Sequence, residues 1–156
     1  MNFVKRSFTV TKLVAILLFH VAVLSTSCAT VYDHYTFTET VETKVQAQNL
    51  IELAATPYAD NKTQVVNFQN QLQKMLVYER AKSKNEVTLK MWEFINAPNS
   101  AINKFLSLWK EKETLSPTFI EEFQAPIARI FDLMVAYENK KDQPTENALL
   151  QLLQTQ

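Results

Sequence analysis

The chain has 156 residues, 47% hydrophobic and 21% charged, with 16 basic residues balancing 16 acidic ones, one cysteine, two histidines and no glycine. Average usage would place roughly 11 glycines in this length, and glycine serves the positive-φ corners of tight hairpins and the close backbone approach of phosphate-cradling loops. Its absence excludes a Walker-type loop and a dinucleotide fingerprint and disfavours a many-hairpin β-sandwich, while a single cysteine excludes an internal disulfide framework and any CxxC pair.

The first twelve residues, MNFVKRSFTVTK, are basic and contain no acid. An apolar run, Leu13 to Leu24, follows, with His20 its only polar member. Twelve helical residues rise about 18 Å, well short of the ~30 Å hydrocarbon core. A basic start, a short apolar run and then small residues have the layout of a secretory signal peptide.

The run closes Leu24-Ser25-Thr26-Ser27-Cys28-Ala29-Thr30. Over residues 1–28 the chain resembles the bacterial lipoprotein signal peptide, whose lipobox sets a small residue before an obligatory cysteine. Thr26 and Ser27 match the two positions before that cysteine. The third position back, usually leucine, is Ser25, with Leu24 one place further out. Ser25 and Ser27 also suit an ordinary signal peptidase, which would cut the same bond and leave Cys28 unmodified. A lone free thiol in an oxidising envelope calls for an explanation, and the thioether to diacylglycerol that the resemblance implies supplies one. The resemblance thus implies a leader over 1–27, lipid on Cys28 and attachment to a membrane through acyl chains. Each buried methylene contributes about 0.8 kcal/mol, so several chains hold firmly where one binds marginally. Ala29 sits where an aspartate would retain some lipoproteins in the inner membrane, so the resemblance points to the outer membrane of a bacterial cell envelope.

Without residues 1–27 the chain loses Lys5, Arg6 and Lys12 but no acid, leaving 13 basic against 16 acidic residues. A nucleic-acid binder needs a concentrated basic face, so no nucleic-acid partner is expected. Residues 28–37 read as a lipidated tether, in which Tyr35-Thr36-Phe37-Thr38 alternates like a short extended piece. Residues 38–156 read as one helical domain. Val41, Val45, Leu50, Leu53 and Ala54 suggest a first helix, closed by Thr56-Pro57. Asp60 or Asn61 suits the cap of a second, striped by Val65, Phe68, Leu72 and Leu76. Ser83 and Glu86 have capping-box spacing, which predicts a break at residues 82–85 before Val87, Met91, Trp92 and Ile95. Pro98-Asn99-Ser100 precedes a short helix of Ile102, Phe105, Leu106 and Trp109. Ser116-Pro117 opens another with Phe119, Phe123, Ile127, Ile130, Phe131 and Met134, interrupted by Pro126. Pro144 opens a last one with Leu149, Leu150, Leu152 and Leu153. Five or six short helices predict a compact all-α bundle.

Catalytic sets are missing. His34, in the tether, is the one histidine outside the leader, and Glu-x-x-His does not occur, so neither a Ser-His-Asp site, a metal nor a cofactor is expected. The carboxylates available for acid/base work are Glu121 with Glu122, Glu111 with Glu113, and Asp132 with Glu138. Lys82, Glu86 and Lys90 follow four-residue steps, as on a solvated helix face. Asn61-Lys62-Thr63 is a glycosylation sequon that reads more simply as a helix cap. Eight aromatics crowd residues 92–137 and helical spacing assigns most to the core. Trp92, Phe94, Phe105 and Trp109, on short helices, are the candidates for an exposed ligand or partner groove. Together these features suggest a non-enzymatic lipoprotein that binds an envelope partner or supports an assembly. The alternative is a carrier holding a lipid or other apolar ligand in the aromatic groove.

Overall fold

The computed structural model describes residues 32–154, so the leader, Cys28 and the first residues of the expected tether lie outside the described residues. Six helices follow in order: α1 His34–Leu53, α2 Tyr58–Arg80, α3 Glu86–Asn96, α4 Ala101–Lys112, α5 Pro117–Lys140 and α6 Gln143–Gln154. The fold is all-α, with no strand among the described residues. Three helices are long, at 20, 23 and 24 residues for α1, α2 and α5.

Four helix starts follow the capping rule that a short oxygen-bearing side chain satisfies the orphan N–H groups of the first turn, Asp142 before α6 accepting from Thr145 N. Asp33 accepts from Tyr35 N and Thr36 N, Ser100 from Asn103 N, and Ser116 from Phe119 N. Asp33 therefore corrects the tether: helix begins at His34, and the stretch expected to be extended at Tyr35–Thr38 is its first turn. The two cap candidates for α2 are also corrected, since that helix starts at Tyr58. Asn61 lies in the first turn, where its buried Nδ2 donates to Thr56 Oγ1 and Pro57 O. The break after α2 is present, but Ser83 and Glu86 form no capping box. Asn85 is the N-cap of α3, and its side chain makes no capping bond.

α1 packs most extensively on α5 and also pairs with α2, which carries α3, while α6 covers α5 and α3. The core between them holds Phe68, Met75, Trp92, Phe105, Trp109, Phe131 and Tyr137 among others. The stripes read for α2 and α4 are all buried, and so is the second half of the α5 stripe from Ile127 onward, whereas Phe119 is exposed. α1 departs from its stripe. Val45 is 47% exposed, and the buried face instead carries Thr36, Thr40, Thr43, Ala47, Leu50 and Ile51.

In a chain without glycine, left-handed backbone falls to Lys84, Glu113 and Lys141, with φ of 61°, 63° and 50°. Each carries a Cβ penalty that glycine would avoid. Lys84 and Lys141 sit at one end of the bundle. At the other, Tyr58 N donates to Glu113 O and Leu115 N to Ala54 O, which ties the α1–α2 turn to the α4–α5 connection.

Candidate functional site

The polar face of α1 meets α2 through hydrogen bonds rather than apolar contact. At its start, Asp33 Oδ2 accepts from Lys82 Nζ at 2.8 Å and Tyr78 Oη at 3.1 Å. Below it lies Glu79, fully buried. Its Oε1 accepts from Thr36 Oγ1 at 2.5 Å and its Oε2 from Asn85 Nδ2 at 2.6 Å. Lys82 Nζ completes the cluster, 3.1 Å from Glu79 Oε2 and 3.0 Å from Thr36 Oγ1. A buried carboxylate persists only where donors replace its water, and here three side chains do so. One turn further along α1, Glu39 Oε2 accepts from Lys74 Nζ and Gln71 Nε2, and Gln71 also donates to Thr43 Oγ1.

Lys82 therefore does not stand on a solvated face with Glu86 and Lys90. It leaves the end of α2 and turns inward, three-quarters covered. Beside it is a second buried pair. Glu138 accepts from Thr88 Oγ1 at 2.6 Å, and Lys141 Nζ lies 2.6 Å from Glu138 Oε2 and 4.4 Å from the Tyr137 ring centroid. Between the two pairs opens a cleft of about 490 Å³, whose lining includes Tyr32, Asp33, His34, Lys82, Lys84 and Lys141.

The protonation states in this cleft suit structure rather than chemistry. Partial burial pushes the Asp33 carboxyl upward, but the Lys82 ammonium, the Thr36 amide and Tyr78 outweigh it and hold the group far below the usual carboxylate range. Lys82 loses some basicity to burial, yet its bonds to Asp33 and Glu79 raise it above an ordinary lysine. A nucleophilic lysine needs a lowered pKa and a general acid a raised one. Both shifts run the other way. Among the described residues no three acidic, histidine or cysteine side chains gather to hold a metal.

The remaining carboxylate candidates do not converge. Asp132 pairs with Lys44 at 2.5 Å, away from the partners of Glu138. Glu111, Glu113, Glu121 and Glu122 are all exposed. The aromatic groove is corrected as well. Trp92, Phe105 and Trp109 have no exposed surface and so line nothing open to solvent, and Phe94 packs half-buried against them. Phe105 and Trp109 do meet, with ring centroids 6.2 Å apart. Trp109 Nε1 donates to Thr56 O at 3.0 Å, whereas the buried Trp92 Nε1 has no acceptor among the described residues.

A different groove is open. Between the second half of α1 and the first half of α2, Gln46, Asn49, Gln64 and Asn67 surround a depression of about 310 Å³ floored by Leu50, Leu53 and Phe68. Gln46 bonds to Glu42 of its own helix. The side chains of Asn49, Gln64 and Asn67 make no hydrogen bond to another described residue. Asn49 also borders a smaller cleft of about 200 Å³ against α5, with Gln48, Glu52 and Gln124. The amide density of residues 64–73, where six of ten positions are Asn or Gln, is the sequence signal that marks this groove. Comparison of the chain with models of known families, with curated proteins and with solved structures returned no match.

Proposed function

We propose that this chain is a lipid-anchored protein of the bacterial cell envelope, at the outer membrane, whose helical domain docks an envelope partner through the amide-lined groove of α1 and α2. The anchor rests on the leader-like run and Cys28. The docking role rests on one observation: three carboxamides, from Asn49, Gln64 and Asn67, stand around an apolar floor with no hydrogen-bond partner among the described residues. Each carboxamide offers a donor pair and an acceptor, the complement of a main-chain peptide group or another amide. A groove of polar rim and apolar base has the anatomy of a small recognition site. The carrier reading has lost the exposed aromatics that motivated it, because three of the four are core.

Two experiments test this function. Metabolic labelling with a fatty-acid analogue should mark the wild type and not Cys28→Ser; equal labelling, or none in either, refutes the anchor. A photo-crosslinking residue at Asn67 should give one discrete adduct in cells. The same residue at Gln151, exposed on α6 away from that groove, should give none. Indistinguishable adduct patterns from the two positions refute the docking face.

A further inference from the structure

We infer that the end of the bundle around Tyr32, Lys84 and the 490 Å³ cleft is apposed to the lipid headgroups, and that the amide-lined groove is thereby turned away from the bilayer. This rests on the lipid anchor at Cys28. Asp33 follows Cys28 by five residues, and five residues span at most about 18 Å whatever their conformation. The chain enters the folded body at a fixed point, because Asp33 is held by Lys82, Tyr78 and two main-chain amides. α1 then runs 20 residues away from that point, about 30 Å. Asn49 and Leu53 lie in its last turns, and Gln46, where the groove begins on α1, stands about 20 Å along the axis from Asp33, past the full reach of the tether.

The surface at this end fits a headgroup layer by its side chains. Tyr32 and Tyr35 are 48% and 41% exposed, and tyrosine, with an apolar ring and a polar tip, favours the membrane–water interface. Net charge is not the driving force. Residues 32–34, 79–86 and 138–146 carry five cations (Arg80, Lys82, Lys84, Lys140, Lys141) against six carboxylates, of which Glu79 and Glu138 are buried. The apposition is set by the short tether and the tyrosines, so it does not require anionic lipid.

Cys28 is the sole cysteine, and once lipidated it leaves an introduced thiol unique. The test uses the full lipidated protein in phosphatidylcholine vesicles, with a fluorophore on Lys84→Cys or on Lys112→Cys, the latter exposed at the opposite end. A quencher attached to the headgroups should dim the Lys84→Cys label severalfold more than the Lys112→Cys label. The contrast should persist in high salt and when phosphatidylglycerol is added, and Tyr32→Ser with Tyr35→Ser should reduce it. Equal quenching at the two sites, or stronger quenching at residue 112, overturns the orientation while leaving the anchor intact. A contrast that vanishes in salt overturns the tether-and-tyrosine basis. Intact mass is read on the same samples, and an unmodified Cys28 overturns the anchor and the orientation together.

Discussion

Replacing Lys82 by methionine removes one charge that is shared by two carboxylates while keeping most of the side-chain volume. Glu79 would keep Thr36 and Asn85 as donors, and Asp33 would keep Tyr78 and two amides. Breaking a buried pair from one side costs about 3–5 kcal/mol, because the surviving charge stays desolvated. Lys82 is 26% exposed and both carboxylates retain other donors, so the cost falls at or just below the lower end of that range, about 2–3 kcal/mol. For a domain of this size each kcal/mol moves the midpoint by about 3–5 °C, which predicts a fall of about 10 °C. Urea unfolding followed by circular dichroism gives the free energy directly. The double variant Lys82→Met with Glu79→Gln should be less destabilised than the two single variants summed, since the charge left behind is gone. A cost below about 1 kcal/mol for Lys82→Met, the value of an exposed ion pair, or a double variant that is strictly additive, would refute the account of the cluster.

Thr36→Val should cost about 1–3 kcal/mol because it removes the shortest bond to a buried carboxylate and leaves Glu79 Oε1 with the longer one from Lys82 alone, whereas Thr40→Val should cost much less, its hydroxyl bonding only to Thr36 O in its own helix; chemical denaturation of the pair compares them, and equal losses would contradict the distinction. Pro126 is exposed inside α5, so Pro126→Ala should restore a helical hydrogen bond and stabilise the fold by about 1–3 kcal/mol, read as a higher unfolding midpoint. Asp33 and Glu39 are held below the ordinary carboxylate range despite burial; their contribution is present above their unfolded pKa and is lost as pH falls through the folded one. Lys74 and Lys82 are held above theirs, so their contribution is present below about 10.4 and is lost as pH rises through the folded values. The urea midpoint should therefore be flat from about pH 5 to about pH 10 and fall on both sides, and a midpoint that rises between pH 5 and pH 3 would contradict the assignment.

Legibility in the sequence followed periodicity. Val65, Phe68, Leu72 and Leu76 recur at helical spacing and are core, as are Ile102, Phe105, Leu106 and Trp109. Pro117 after Ser116 and the polar stretch at 82–85 mark real boundaries. α1 was misread in detail because its buried face is written in threonine, which periodicity counts as polar. A threonine hydroxyl that donates to a carbonyl one turn back, as in Thr40 and Thr43, satisfies itself and leaves the residue free to be buried. The roles of Glu79 and Lys82 were illegible for a related reason: a charged residue looks solvated until its partners, here Thr36 and Asp33 more than forty positions away, are brought to it by the fold.

The aromatic groove failed for the opposite reason. Trp92, Phe105 and Trp109 sit on helices of 11 and 12 residues, and helices that short do not bury so many rings by themselves. The long helices α2 and α5 supply the missing cover, since each packs on both short helices. Burying large rings in the middle of the bundle leaves the outer side of the α1–α2 pair to amides, while Thr36 and Thr43 bond inward. That division gives the two ends of α1 different work. The first turns are latched by charge and hydrogen bonds where the chain enters the body, through Asp33, Lys82 and Glu79. The last turns carry the open groove. A latch built from ionised groups, with Asp33 lowered and Lys82 raised, stays closed across the neutral range, so the groove is held at a constant distance from the point of entry rather than being released by modest changes in pH.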